Sequence, residues 1–263
     1  MVGVERRREL DRALGRYLTG RPGRLSVAVR DLATGLSYTY GSGHRPGTAS
    51  IVKVAIVAAL LLEAQREGRD LSATERALAR EAITVSGNDA ATALWHRIGG
   101  GPGLARALGR LGLRDTEPGP GTAWGATTTS ASDQVRLLAA LTGPGGPLDD
   151  GRRRHLLGLM EDVVDEQAWG VSAAAGEGGT WALKNGWLPR EVHGGAWTVN
   201  SIGVVGDGGR AYLLAVLSDR QVSMGAGVRA VEHVSRLVTR ALAEAAQSAE
   251  AAGAPDGGRR GDT

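Results

Sequence analysis

The chain has 263 residues, 42% apolar and 22% charged, which excludes global disorder and predicts one large domain or two lobes sharing a core. A net charge of +3 excludes a broad basic surface for nucleic acid. The absence of cysteine excludes disulfides, thiolate metal sites and a cysteine nucleophile.

Residues 4–18 bring Leu10, Leu14 and Leu18 onto one face and predict a helix. This segment is charged and lacks the apolar stretch of a signal peptide, and the longest apolar run, Val54 to Leu62, is too short to span a bilayer. The chain as written is therefore expected to be soluble, with no export signal and no membrane segment. LSVAVRD (25–31) and LSYTY (36–40) predict a hairpin, and GSGHRPG predicts a loop leading into a helix over about 51–67. Ser72 and Glu75 form a capping-box pattern that opens a helix to about Thr84. Further helices are predicted near 89–98, 103–111, 131–142 and 149–164, with 114–129 as an ordered loop. TWALKNG, WTVNSIGVV and AYLLAVLS predict three strands, GDGG turns between the last two, and a helix over about 225–247 closes the chain.

These elements predict an α+β fold: an antiparallel five-stranded sheet covered by the N- and C-terminal helices, with an inserted all-helical lobe. Residues 1–45 and 175–250 form the sheet lobe, 46–174 the helical lobe and 251–263 a disordered tail. Ligands favour the crevice between such lobes.

Of 31 basic residues, only Lys53 and Lys184 are lysine. Arginine does not lose its proton in proteins whereas a buried lysine does, so both are candidates for chemistry that needs a compact or titratable amine. Lys53 follows Ser50 by three residues in TASIVKVAIV, one helical turn away. Such an amine acts as general base to the serine if its pKa falls from about 10.4 to near 7, a shift costing about 4–5 kcal/mol. Desolvation by the apolar stretch or a second nearby cation would supply it. The competing reading is a plain helix-cap serine with a snorkelling lysine. Ser86-Gly87-Asn88 joins two helical patterns and offers a hydroxyl and an amide, or else another cap. Lys184-Asn185-Gly186 lies on a strand, where a glycine marks close approach by backbone or ligand. Its lysine either neutralises a substrate carboxylate or guards an edge strand.

Together, S-x-x-K, S-x-N and K-x-G on helix, helix junction and strand resemble the serine β-lactamase and penicillin-binding protein superfamily, most closely class A β-lactamases. The resemblance runs through LSVAVRDLATG, TASIVKVAIV, EAITVSGNDAATALWHRIGG, GATTTSASD and ALKNGW, nearly the whole chain. It implies a serine hydrolase with Ser50 as acylated nucleophile, Lys53 as its base, Ser86 as proton shuttle and Asn88 and Lys184 shaping the pocket. It also implies substrate contacts at Asn185 and Gly186 and an oxyanion hole from the backbone N–H groups of Ser50 and Trp187, each donor worth about 3–4 kcal/mol. No cofactor or metal is implied, the five histidines showing no metal spacing. The expected partner is a small β-lactam or peptide-like substrate, and the chain is expected to be a monomer. Relatives usually act outside the cytoplasm, which leaves the compartment open against the missing signal.

The chain departs from class A in three places. Gly87 stands where the family has aspartate, and Asn185 where it has threonine or serine. The loop before Thr127 reads TEPGPGTAWGATTT, without the Glu-x-x-Leu-Asn whose glutamate activates the deacylating water. Glu117 is its only acidic candidate for that base, and its alternative is an exposed loop carboxylate. Ser50 and Ser86 also lie closer in sequence than in class A, which opens one rim of the cleft. The resulting expectation is an enzyme that acylates readily with β-lactams or related amides and deacylates slowly. The alternatives are a D-alanyl peptide hydrolase or transferase, a biosynthetic amide or ester hydrolase, and a non-catalytic binding module on the same fold. Lys53 is expected to lose its proton and Lys184 to keep its charge. Trp124 and Trp187 are candidates to line the cleft, and Arg210 and Arg220 to bind a substrate carboxylate.

Overall fold

The structure, a computed structural model, describes the backbone of residues 1–253 and the side chains of residues 1–248. In chain order the elements are α1 (Val4–Leu18), β1 (Arg24–Asp31), β2 (Ser37–Tyr40), α2 (Val52–Arg66), α3 (Ala73–Thr84), α4 (Asn88–Arg97), α5 (Gly100–Arg110), α6 (Ala131–Thr142), α7 (Asp150–Glu161), β3 (Thr180–Arg190), β4 (Ala196–Asp207), β5 (Arg210–Gln221) and α8 (Met224–Gly253). The five strands form one antiparallel sheet in the order β2-β1-β5-β4-β3. The α+β class and the five-stranded sheet are as the sequence pattern predicts.

Hydrophobic patterning explains the layers. The middle strand, β5, is buried on both faces, so its apolar residues run without interruption. Leu213, Ala215 and Leu217 join the core beneath α2, whereas Tyr212, Leu214 and Val216 join the core shared with α1 and α8. Helix α2 is apolar all round and buried over most of its length, as a central helix must be. Among the described residues no helix is long and apolar enough to cross a membrane.

Local signals act where the sequence places them. Ser72 and Glu75 make both bonds of a capping box at the start of α3. Gly208 and Gly209, with φ of +55° and +80°, make the tight turn between β4 and β5. Two outcomes differ from the pattern. Helix α8 continues through residues 251–253, expected as tail, while 254–263 lie outside the described residues. Residues 165–174, which carry no periodicity, fold into two short 3-10 turns, Asp165–Gln167 and Gly170–Ala174, the second packed against the sheet and α8.

Candidate active site

Ser50 sits in a 3-10 turn, Ala49–Ile51, that runs directly into α2. The residue before it, Ala49, has φ of +48°, a left-handed backbone that a side chain disfavours. Such strain persists only where the surroundings over-determine it, and here they do. Thr48 N donates to Thr127 O at 2.7 Å. The Asn200 amide, from β4, donates to Gly47 O at 2.9 Å and Thr48 O at 3.1 Å. From β3, Gly186 comes so close that a Cβ there would lie 2.7 Å from both Ser50 N and Thr48 O and 2.8 Å from Ile51 N. The expected close approach at Gly186 is thus an approach of backbone to backbone.

The two lysines meet over one hydroxyl. Lys53 Nζ donates to Ser86 O at 2.6 Å, to Asn88 Oδ1 at 2.9 Å and to Ser86 Oγ at 3.2 Å. Lys184 Nζ donates to the same Ser86 Oγ at 3.0 Å and to Asn185 O at 3.0 Å. Ser86 itself has φ of +59°, so strained backbone lies beside one candidate hydroxyl and at the other. Both lysines are fully buried, and neither forms an ion pair among the described residues.

Desolvation therefore dominates their titration. Burial pushes Lys53 down to about 8. Burial, followed by the charge of Lys53, pushes Lys184 down to about 7. The expectation set Lys53 apart as the amine that titrates; burial lowers both. Two amines that share one acceptor and no counter-ion titrate as a pair.

Asn185 points elsewhere. Its side chain is fully buried and its amide donates to Gln167 O at 2.7 Å and Trp169 O at 2.9 Å, bracing the 165–174 segment against β3. The expected substrate contact from that amide would break both bonds. The same segment brings Trp169 edge-on to Trp187, with ring centroids 5.6 Å apart, so a half-buried aromatic pair stands beside Gly186.

The loop over 114–129 is ordered by Asp133 at the start of α6. Burial alone would raise this carboxyl's pKa, but bonds from the Thr116 hydroxyl and the N–H groups of Arg114 and Asp115 hold it below the ordinary range. Glu117 then pairs through its backbone with Thr128, and its exposed carboxylate makes no bond to Lys53, Ser86 or Asn88. Of the two readings of Glu117, the exposed position fits the loop carboxylate. The loop brings Trp124 instead: Lys53 Nζ lies over its ring, 4.9 Å from the centroid.

Of the arginines considered for a substrate carboxylate, Arg210 pairs with Asp31 at 3.2 Å, and Arg220 is exposed at the end of β5. Arg190, not singled out by the sequence, packs its guanidinium against Gly47 on the nucleophile's turn. Asn200 was also missed, although an amide inside the apolar run WTVNSIGVV is a signal, because a buried amide needs partners. Its Oδ1 accepts from Ser218 N at 3.0 Å, so one side chain ties β5 to the turn before Ser50. Asn200→Ala would leave Gly47 O and Ser218 N buried and unpaired. It is expected to lower the unfolding free energy by about 3 kcal/mol, measured by urea denaturation.

Residues 70–242 match the family model described as the beta-lactamase enzyme family. The protein named LppW in Mycobacterium tuberculosis is 32% identical over 205 residues, 74% of this chain. The match spans only 62% of that relative's own length. Among solved structures, a variant of PBP-A in its acyl-enzyme complex with penicillin G superposes with a TM-score of 0.75 at 23% identity, covering 91% of this chain and 97% of that one. An ancestral class A beta-lactamase superposes with a TM-score of 0.74 at 25% identity, covering 88% and 99%.

Proposed function

The chain belongs to the beta-lactamase enzyme family, and from that premise we propose that it is a serine acyl-transfer enzyme that forms an acyl-enzyme on Ser50 with β-lactams or related amides and hydrolyses it slowly. The observation that carries the reading is the convergence of Lys53 and Lys184 on Ser86 Oγ, beside the strained turn that presents Ser50. In this reading the neutral amine of Lys53 accepts the Ser50 proton as Oγ attacks the carbonyl carbon. The backbone N–H groups of Ser50 and Trp187 hold the developing oxyanion. Ser86 Oγ passes its proton to the leaving nitrogen as the C–N bond breaks and is reprotonated by Lys53, which holds the proton taken from Ser50, across their 3.2 Å bond. The one proton that the amine pair keeps, carried on Lys184, supplies positive charge to that hydroxyl and to an anionic substrate group.

Slow hydrolysis follows from the lack of a carboxylate on either amine and from the exposed position of Glu117. Incubation with benzylpenicillin and intact-mass measurement tests the proposal. The expected result is an adduct of one penicillin mass that persists over many minutes and is absent in Ser50→Ala. Rapid turnover without an adduct would remove the slow step. No reaction with penicillin, peptide or ester donors would leave a binding module.

A further inference from the structure

The nucleophile's helix holds a contact that acylation does not need. Lys53 Nζ gives its hydrogens to Ser86 and Asn88, and the ring of Trp124 covers it, 4.9 Å from the centroid. The ring is fixed from three sides. Its Nε1 donates to Thr92 Oγ1 at 3.1 Å, its apolar body packs on the core beneath the sheet, and Gly125 brings the backbone against Ala49, where a Cβ would lie 3.8 Å from Ala49 Cα. The loop that bears it is tied to the same turn by Thr48 N to Thr127 O.

Deacylation breaks the ester bond from the acyl carbon to Ser50 Oγ, joins that carbon to the oxygen of water and returns one of the water's protons to Oγ. A base must take the water's proton as the bond forms. Among the side chains bonded to one another in this cluster, the lysine amines are the only bases, and Lys53 is the one on Ser50's own helix. We propose that the face of Trp124 keeps water off the amine of Lys53 and so sets the lifetime of the acyl-enzyme, a proposal that rests on acylation of Ser50. The flat indole covers the amine on the side of the ring, where a water would have to stand to give Lys53 its proton. The tryptophan thereby separates acylation, whose proton comes from the serine itself, from hydrolysis, which must bring in a water.

The test follows the adduct of benzylpenicillin by intact mass in the full chain and in Trp124→Phe, Trp124→Ala and Trp124→Leu, recording adduct formation and adduct loss separately. Trp124→Phe is expected to keep the wild-type lifetime. Trp124→Ala is expected to lose its adduct on the order of tenfold faster, part of the range that general-base assistance spans, with formation changed by less than that. Equal lifetimes in the alanine and wild-type chains overturn the proposal. Should the alanine chain fail to fold, leucine decides: it keeps an apolar body on the core but no flat face, and equal decay of the leucine and phenylalanine chains overturns the proposal as well. Absence of any adduct in the wild type would instead remove the acyl-enzyme reading itself.

Discussion

Lys53→Arg is expected to reduce the rate of Ser50 acylation by on the order of 10³-fold, the usual contribution of a positioned general base. An arginine keeps the charge and the reach but does not give up its proton near neutral pH. Lys184→Arg is expected to do more harm than a simple charge-for-charge exchange, because Lys184 is fully buried and a planar guanidinium is larger than the ammonium it would replace. The pH dependence separates the base from a mere cation. Both amines lie below the ordinary lysine value near 10.5, Lys53 at about 8 and Lys184 at about 7. Because the amines titrate as one pair, acylation by the wild type should climb as pH rises through about 7 and the pair becomes singly protonated, the active form being the one with Lys53 neutral and the proton on Lys184, and fall above about 8 as the second proton leaves. The same shifts act on stability. Between about pH 7 and 10 the unfolded chain holds more protons than the folded one, so stability should rise with pH across that window. Stopped-flow acylation and urea titration at a series of pH values would check both. A rate flat from pH 6 to 9 would show that neither amine is the base.

The count of two lysines among 31 basic residues pointed to both amines, and the strand and helix patterns put them on opposite walls. Periodicity was legible because each layer imposes its own: β5 alternates between two cores, and α2 is apolar all round because it is central. What sequence did not reveal was the division of charge between the lysines. That depends on how deeply each is buried and on what stands near it, and neither is a local property. The same holds for Asn185: its place in K-x-G suggested a substrate contact, yet its amide is used by carbonyls of a segment with no periodic signal of its own. Asn200 acts across 153 residues on Gly47, so only the folded chain brings it to the nucleophile's turn, and Trp124, legible as a cleft candidate, shows its contact with Lys53 only there.

Gly186→Ala is expected to cripple the site through geometry alone. The glycine needs no unusual backbone, for it is not among the residues of positive φ. It needs the absence of a methyl group. An alanine Cβ would stand 2.7 Å from Ser50 N and Thr48 O and 2.8 Å from Ile51 N, all backbone atoms of a turn already held by Asn200 and Thr127. No side-chain rotation relieves that contact, so β3 and the turn must move apart. The Ser50 N–H is also the group the methyl would cover, and losing one oxyanion donor costs on the order of 10²–10³ in rate. Forcing a methyl into a packed contact costs about 1–3 kcal/mol of stability in addition. Acylation by benzylpenicillin and thermal unfolding of the purified variant measure the two effects separately. A variant that folds as stably as the wild type and acylates at the same rate would mean that β3 and the nucleophile's turn do not meet as closely as these distances require, and that the oxyanion is held elsewhere.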